Sequence, residues 1–248
     1  MKYNLCVPVP IRYANIEEVK SIIEKVNKAK PNLIEFRFDY LSNYKNLSLE
    51  FIRNLMDIIS PYAATIFTFR KSTEGGRIHI KEDERIKIYK MFLDAKPDYI
   101  DLELNIDNEI IDEIINLAYE NGVKMIFSYH NFERTLSFNE ATNLLEQFTK
   151  KLIQELTLNP KILEGTIKKM IFTAQSFEDN LIPLRLCRQF SSSNQRIISF
   201  CMGPLGIFSR INCIIAGSYL TYAFLEEETA QGQINIEKMR EIYDLILD

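Results

Sequence analysis

Short apolar runs rich in Ile, Phe, Val and Tyr recur along the chain, and between them lie longer segments whose apolar positions repeat at spacings of three and four. The first pattern is that of buried strands, the second that of helices with one buried face. The runs predict strands over Leu5–Val9, Leu33–Phe38, Ala64–Phe69, Tyr99–Leu104, Lys124–Ser128, Ile167–Thr173, Arg196–Cys201 and Tyr219–Phe224. The intervening segments predict helices over Ile16–Lys28, Leu49–Ile59, Lys81–Leu93, Asn108–Asn121, Phe138–Leu156 and Ser176–Phe190, with Ile236–Leu247 closing the chain. Asn121-Gly122 marks a helix end, and Pro97 and Pro160 stand in connections ahead of strands, where a missing N–H does least harm.

Strand and helix therefore alternate, the order of parallel βα units. Eight such units in 248 residues match a closed (β/α)8 barrel, which typically takes about 250 residues. A doubly wound open sheet is the alternative, and the strand count favours the barrel. No linker, low-complexity tract or charge block interrupts the pattern, so residues 1–248 are expected to form one α/β domain.

Composition narrows the partners. The 30 Lys+Arg against 34 Asp+Glu give a net charge of −4, with no basic excess to neutralise a nucleic-acid backbone, so the expected ligand is a small molecule. Cys6, Cys187, Cys201 and Cys213 form no CxxC pair, and with His79 and His130 as the two histidines no zinc-site spacing arises. The N-terminal MKYNLCVPVPIR has too short an apolar run for a signal-peptide core, so a reducing cytoplasm and free thiols are expected. The uncharged stretch Ile211–Leu225 is shorter than the roughly 18 residues of a membrane span, and Asn212, Ser218 and Thr221 interrupt it.

In a barrel of this kind, chemistry sits at the C-terminal ends of the strands. Strand two reads Ile34-Glu35-Phe36-Arg37-Phe38-Asp39, and alternation puts the three charges on one face. With helices covering the outside, that face points into the barrel, where charges must be paired or serve a substrate. After strand three, Arg70 precedes Glu74-Gly75-Gly76, which by itself is an ordinary polar turn. Glu103 lies near the C-terminal end of strand four. His130 ends strand five; its reference pKa of about 6.5 suits an acid–base role, although a lone histidine is more often structural. His79, in a Lys- and Glu-rich stretch, reads as solvated.

Strand six carries Lys168-Lys169, and a strand of a closed barrel has no obvious need for a lysine within it. A lysine amine is a nucleophile only when neutral, and from a reference pKa of about 10.4 deprotonation at pH 7 costs on the order of 4.6 kcal/mol. Desolvation and cations such as Arg37, Arg70 and Arg210 would reduce that cost. Strand seven leads into Met202–Arg210, a position that binds anions in such barrels, yet it lacks the Lys-Ser/Thr of a P-loop and the third glycine of GxGxxG. Arg210 suits a carboxylate held bidentately.

Taken in order, Glu35-x-Arg37-x-Asp39, Thr68-x-Arg70 with Glu74-Gly75-Gly76, Asp101-x-Glu103, Ser128-x-His130-x-Phe132, Lys169, Met202-Gly203-x-x-Gly206-x-x-Ser209-Arg210 and Gly232-Gln233 make the chain resemble the type I 3-dehydroquinate dehydratases. The resemblance spans most of the chain. It implies a cytoplasmic (β/α)8 lyase that converts 3-dehydroquinate to 3-dehydroshikimate, the third step of the shikimate pathway, with no metal or organic cofactor. It further implies that Lys169 forms an imine with the substrate, His130 acts as general acid and base, and Glu74 orients His130. Glu35, Arg37, Arg70, Arg210, Thr229 and Gln233 would hold the substrate, and the enzyme would be a homodimer. Counting back from Gln175-Ser176 in the family pattern selects Lys169, which leaves Lys168 on the opposite strand face.

The chain departs from the family at Asn131 (often Asp), Thr229 (usually Ser) and Gln231 (usually Pro). Thr229 keeps the hydroxyl, Asn131 removes a charge beside His130, and Gln231 makes the last loop less rigid. Two other readings compete: a Schiff-base aldolase, opposed by Ser128-x-His130 and Met202-Gly203, and a non-catalytic barrel, opposed by the completeness of the polar pattern.

Overall fold

A computed structural model of the chain describes residues 3–59, 61, 63–106, 108–155 and 165–247. The strands are β1 (Leu5–Pro10), β2 (Leu33–Arg37), β3 (Ala64–Thr68), β4 (Tyr99–Glu103), β5 (Lys124–His130), β6 (Ile167–Thr173), β7 (Arg196–Met202), β8 (Thr221–Phe224) and the two-residue β9 (Ile234–Asn235). The helices are α1 (Ile16–Ala29), α2 (Leu49–Asp57), α3 (Glu82–Ala95), α4 (Asn108–Asn121), α5 (Phe138–Lys150), α6 (Leu181–Ser192), α7 (Ile207–Ala216) and α8 (Ile236–Leu247). The strands pair in parallel in the order β7-β6-β5-β4-β3-β2-β1-β8-β9. This is the expected (β/α)8 barrel, with β9 added beside β8.

Each strand turns one set of side chains to the helices and the other to the barrel interior. The outward set forms the main core. Phe36 of β2 and Phe67 of β3 meet edge to face, and Phe38 and Phe92 of α3 pack with them at ring distances of 4.6 to 5.8 Å. Helix ends are capped by local chemistry: Asn15, Ser48 and Ser137 accept from amides of the first turns, and Ser137 with Glu140 completes a capping box. Gly122 stands past α4 at φ 72°, as Asn121-Gly122 predicts.

Four details differ from the sequence pattern. α7 was not expected, because Ile207–Ala216 carries no charged outer face to mark a helix; Phe208 and Ile215 stand exposed. Arg210 therefore sits in a helix, not in a loop. β2 stops at Arg37, and Asp39 lies in the tight 3₁₀ turn Phe38–Tyr40 rather than on the strand. α6 begins at Leu181, after the short turn Glu178–Asn180. α5 runs on as a π turn over Lys151–Glu155, and the expected end at Leu156, like Pro160, lies outside the described residues.

The ring has a seam. Among the described residues no ladder joins β7 to β8; Tyr219 N–H donates to Ile197 O at 2.7 Å at the base, and Gly203 N–H donates to Gln231 O at 3.2 Å at the top.

Candidate active site

The C-terminal mouth of the barrel opens into a cavity of about 530 Å³. Glu35, Arg37, Arg70, Glu74, His130, Lys169, Arg210, Thr229 and Gln233 all line it, together with Tyr40, Arg77, Met202, Tyr222 and Gln231. The strand alternation places them there. On β6, Lys169, Ile171 and Thr173 face the cavity, whereas Lys168 points the other way and donates to Gln195 Oε1 at 2.8 Å.

Lys169 lines the cavity with 4% of its surface exposed. Its Nζ donates to Asp101 Oδ2 at 2.8 Å and to Tyr222 Oη at 3.0 Å, and stands 3.6 Å from Glu35 Oε1. Asp101 is fully buried and boxed in: Arg70 reaches Oδ2 at 2.9 Å, and Ser128 Oγ donates to Oδ1 at 2.6 Å. Burial works to raise its pKa, but the Arg70 and Lys169 cations prevail and hold it well below the usual carboxylate range. Arg70 also donates to Glu103 Oε1 at 2.9 Å and to Ser128 Oγ at 2.6 Å. Glu103 in turn pairs with Arg85 of α3. Arg70 is thus held by two carboxylates, and its positive field lies beside both Lys169 and His130.

Glu74 reaches the site because its loop folds back. Gly76 N–H donates to Lys71 O at 3.0 Å, and a Cβ on Gly76 would lie 1.9 Å from Arg70 O. Gly75, at φ 86°, lies under the Phe132 ring. These approaches require glycine at both positions. Glu74 Oε2 then accepts from the His130 backbone N–H at 2.9 Å and lies 3.1 Å from its Nδ1. A carboxylate there places the ring hydrogen on Nδ1 and leaves the Nε2 lone pair free. Burial, followed by the Arg70 and Lys169 charges, lowers the His130 pKa well below its ordinary value, so the imidazole is neutral at pH 7. Burial also pushes Glu74 up to about 7, against the opposing pull of Arg70.

On the other side of the cavity, Arg210 is buried over the Phe200 ring at 4.4 Å, and its Nε has no hydrogen-bond partner. Burial lowers its pKa to about 10, which leaves the guanidinium charged at neutral pH. Among the described residues no carboxylate pairs with it. Nearby, Thr229 N–H donates to Gln233 Oε1 at 2.8 Å, and Gln233 Nε2 donates to Thr229 Oγ1 at 3.2 Å. Arg37 pairs bidentately with Asp39 at 2.8 and 2.9 Å. Among the described residues no group of three or more His, Cys, Asp or Glu side chains is arranged to hold a metal ion, and no helix is long and apolar enough to cross a membrane.

The family model for type I 3-dehydroquinase matches residues 5–248. The chain belongs to this family. A 3-dehydroquinate dehydratase of Pyrococcus abyssi is 32% identical over 232 residues, covering 93% of this chain and 94% of the relative. The enzyme of the same name from Thermococcus onnurineus is 31% identical over 233 residues, covering 94% and 95%. The type I 3-dehydroquinate dehydratase of Clostridium difficile, solved with a covalently modified comenic acid, superposes with a TM-score of 0.83 at 27% identity, covering 99% of this chain and 92% of that one. As a type I 3-dehydroquinase the chain is an enzyme that acts on a small molecule.

All nine site residues expected from the sequence thus meet in one cavity. Sequence reasoning missed the roles of Asp101 and Tyr222, which hold Lys169 from β4 and β8. Asp101 was visible within the Asp101-x-Glu103 motif, but nothing local paired it with a lysine 68 positions away.

Proposed function

We propose that residues 1–248 form one catalytic domain that dehydrates 3-dehydroquinate to 3-dehydroshikimate through an imine on Lys169. The observation that carries this reading is a buried lysine facing a cavity that also holds a neutral histidine and an unpaired arginine. Arg210 takes the substrate carboxylate: its free Nε and lack of an acidic partner leave it for an anionic ligand. Glu35, Arg37, Thr229 and Gln233 receive the hydroxyls, and Arg70 positions the residues around them.

Once the imine forms, its positive nitrogen attracts the electron pair released when a proton leaves the adjacent carbon, and no metal is needed for that step. His130 Nε2 takes the proton, and the imidazolium returns one to the departing hydroxyl as water leaves. Glu74 holds His130 in the tautomer that exposes Nε2. Hydrolysis of the imine then frees the product. The covalently modified comenic acid in the Clostridium difficile relative supports covalent chemistry in this family. The resemblance also supports a cytoplasmic homodimer serving the third step of the shikimate pathway.

The deciding experiment is the intact mass of the protein after incubation with 3-dehydroquinate and borohydride, with peptide mapping. One adduct on Lys169, absent in Lys169→Ala, together with formation of dehydroshikimate, is the expected result. No adduct and no turnover would overturn the proposal, and sedimentation equilibrium tests the dimer separately.

A further inference from the structure

We infer that Tyr222 is a second catalytic residue of the imine-forming step, relaying protons from the Lys169 nitrogen to the substrate's carbonyl oxygen. The inference rests on the dehydratase reading and adds to it. Tyr222 of β8 is buried, lines the cavity, and packs its ring against Phe200 with centroids 6.2 Å apart. The same ring lies under the ammonium, with Nζ 4.7 Å from its centroid, and the hydroxyl accepts from Nζ at 3.0 Å. Among the described residues, Lys169 is the hydroxyl's hydrogen-bond partner and nothing accepts its hydrogen. A phenol that receives from an amine and has its own hydrogen free can pass a proton on while remaining unchanged.

Such a group fits the proton count of the reaction. An alkylammonium and a ketone give a protonated imine and one water. The nitrogen begins with three hydrogens and keeps one, and the other two leave on the carbonyl oxygen. Tyr222 gives its hydrogen to the ketone oxygen and takes one from the ammonium as the freed Nζ lone pair attacks the ketone carbon. A C–N bond forms, the C=O π pair moves onto oxygen, and the protonated carbinolamine results, with two hydrogens left on nitrogen. A second transfer along the same path carries one of these to the hydroxyl, which leaves as water while the nitrogen lone pair forms the C=N bond and nitrogen keeps its last hydrogen. No outside acid is consumed.

The other groups at Nζ suit this task less well. Asp101 is closer, at 2.8 Å, but its oxygens are occupied by Arg70 and Ser128, and its depressed pKa makes it a poor proton acceptor. Glu35 Oε1 is 3.6 Å away and accepts from Thr68 Oγ1 at 2.8 Å. Burial raises the Tyr222 pKa well above its ordinary value, so the phenol keeps a hydrogen to donate at neutral pH.

Tyr222→Phe removes the oxygen and keeps the ring. Quench-flow trapping with borohydride follows adduct mass against time in a single turnover. The expected result is imine formation slowed about 100-fold, comparable to loss of one donor to a developing oxyanion, with the adduct still on Lys169 and KM little changed. Imine formation at the wild-type rate in Tyr222→Phe would overturn the inference. Thermal unfolding is recorded alongside, and if the Phe variant does not fold, Tyr222→Met, which fills the same space flexibly, is read the same way. Absence of turnover in the wild-type protein would sink the dehydratase reading itself, a result distinct from equal rates in the two proteins.

Discussion

Two side chains in this site titrate in opposite senses for one reason, burial. Burial favours the neutral form of each, so His130 loses basicity and Glu74 gains it, to about 7. His130 thus stays neutral across the working range, and Glu74 is the group that changes charge near neutrality. The charged form of Glu74, present above about pH 7, holds the hydrogen on Nδ1 and keeps Nε2 free to accept a proton. Below that pH Glu74 is protonated and this preference is lost. The expected kcat profile therefore has an acid limb near 7, falling as pH falls, and Glu74→Gln should abolish the limb while lowering the plateau. A limb unchanged in the Gln variant would assign it to another group. His130→Ala should lower kcat by about 10²–10⁴, the usual contribution of a positioned acid–base.

Residue identity was largely legible in the sequence because the chemistry-bearing types fall at strand ends in order. Their partners were not legible. That Asp101 and Tyr222 grip Lys169 follows from the arrangement of β4, β6 and β8 across the barrel, and period-two alternation carries no information about which strands face one another.

At the level of elements, strands were found to within a few residues because each is a short apolar run between turns. The expected helices were found by their apolar stripe. α7 was missed for the converse reason: an apolar helix with exposed Phe208 and Ile215 has no polar face against which a stripe stands out. Arg85 was also missed, since on α3 it reads as one more solvated charge. Instead it is 1% exposed, donates to Phe69 O at 3.2 Å and to Tyr89 Oη at 3.0 Å, and pairs with Glu103. It ties α3 to β3 and β4 and sets the position of Glu103, which sets that of Arg70. Removing one partner of a buried pair leaves the other charge uncompensated, at a typical cost of about 3–5 kcal/mol. Glu103 keeps Arg70 and the Lys71 amide, so Arg85→Ala is expected near the lower end, about 3 kcal/mol in urea unfolding. A loss below about 1 kcal/mol would mean that the surrounding groups carry Glu103 without it.

The whole barrel was visible as eight alternations, but its seam was not, because the difference between a paired and an unpaired edge lies in backbone geometry. β7 and β8 are tied by Tyr219 to Ile197 below and by Gly203 to Gln231 above. The upper tie depends on Gly232, at φ 77°, where a Cβ would lie 2.5 Å from Gly203 O. Gly232→Ala should therefore destabilise by about 1–3 kcal/mol and raise KM, both measurable on one preparation.

The groups proposed to hold substrate stand on the two banks of this gap: Arg210 follows β7, and Thr229 and Gln233 follow β8. A small acid held between them would act as a rivet, doing at the rim what an inter-strand ladder does elsewhere. Lys169→Ala loaded with 3-dehydroquinate at about 100 times Kd should gain about 2.7 kcal/mol, or about 5–10 °C in Tm for a chain of this size. Amide hydrogen exchange should slow most at Gly203 and Tyr219, more than in the β3–β4 ladder. Barrel closure and ligand capture would then be one equilibrium seen from two ends.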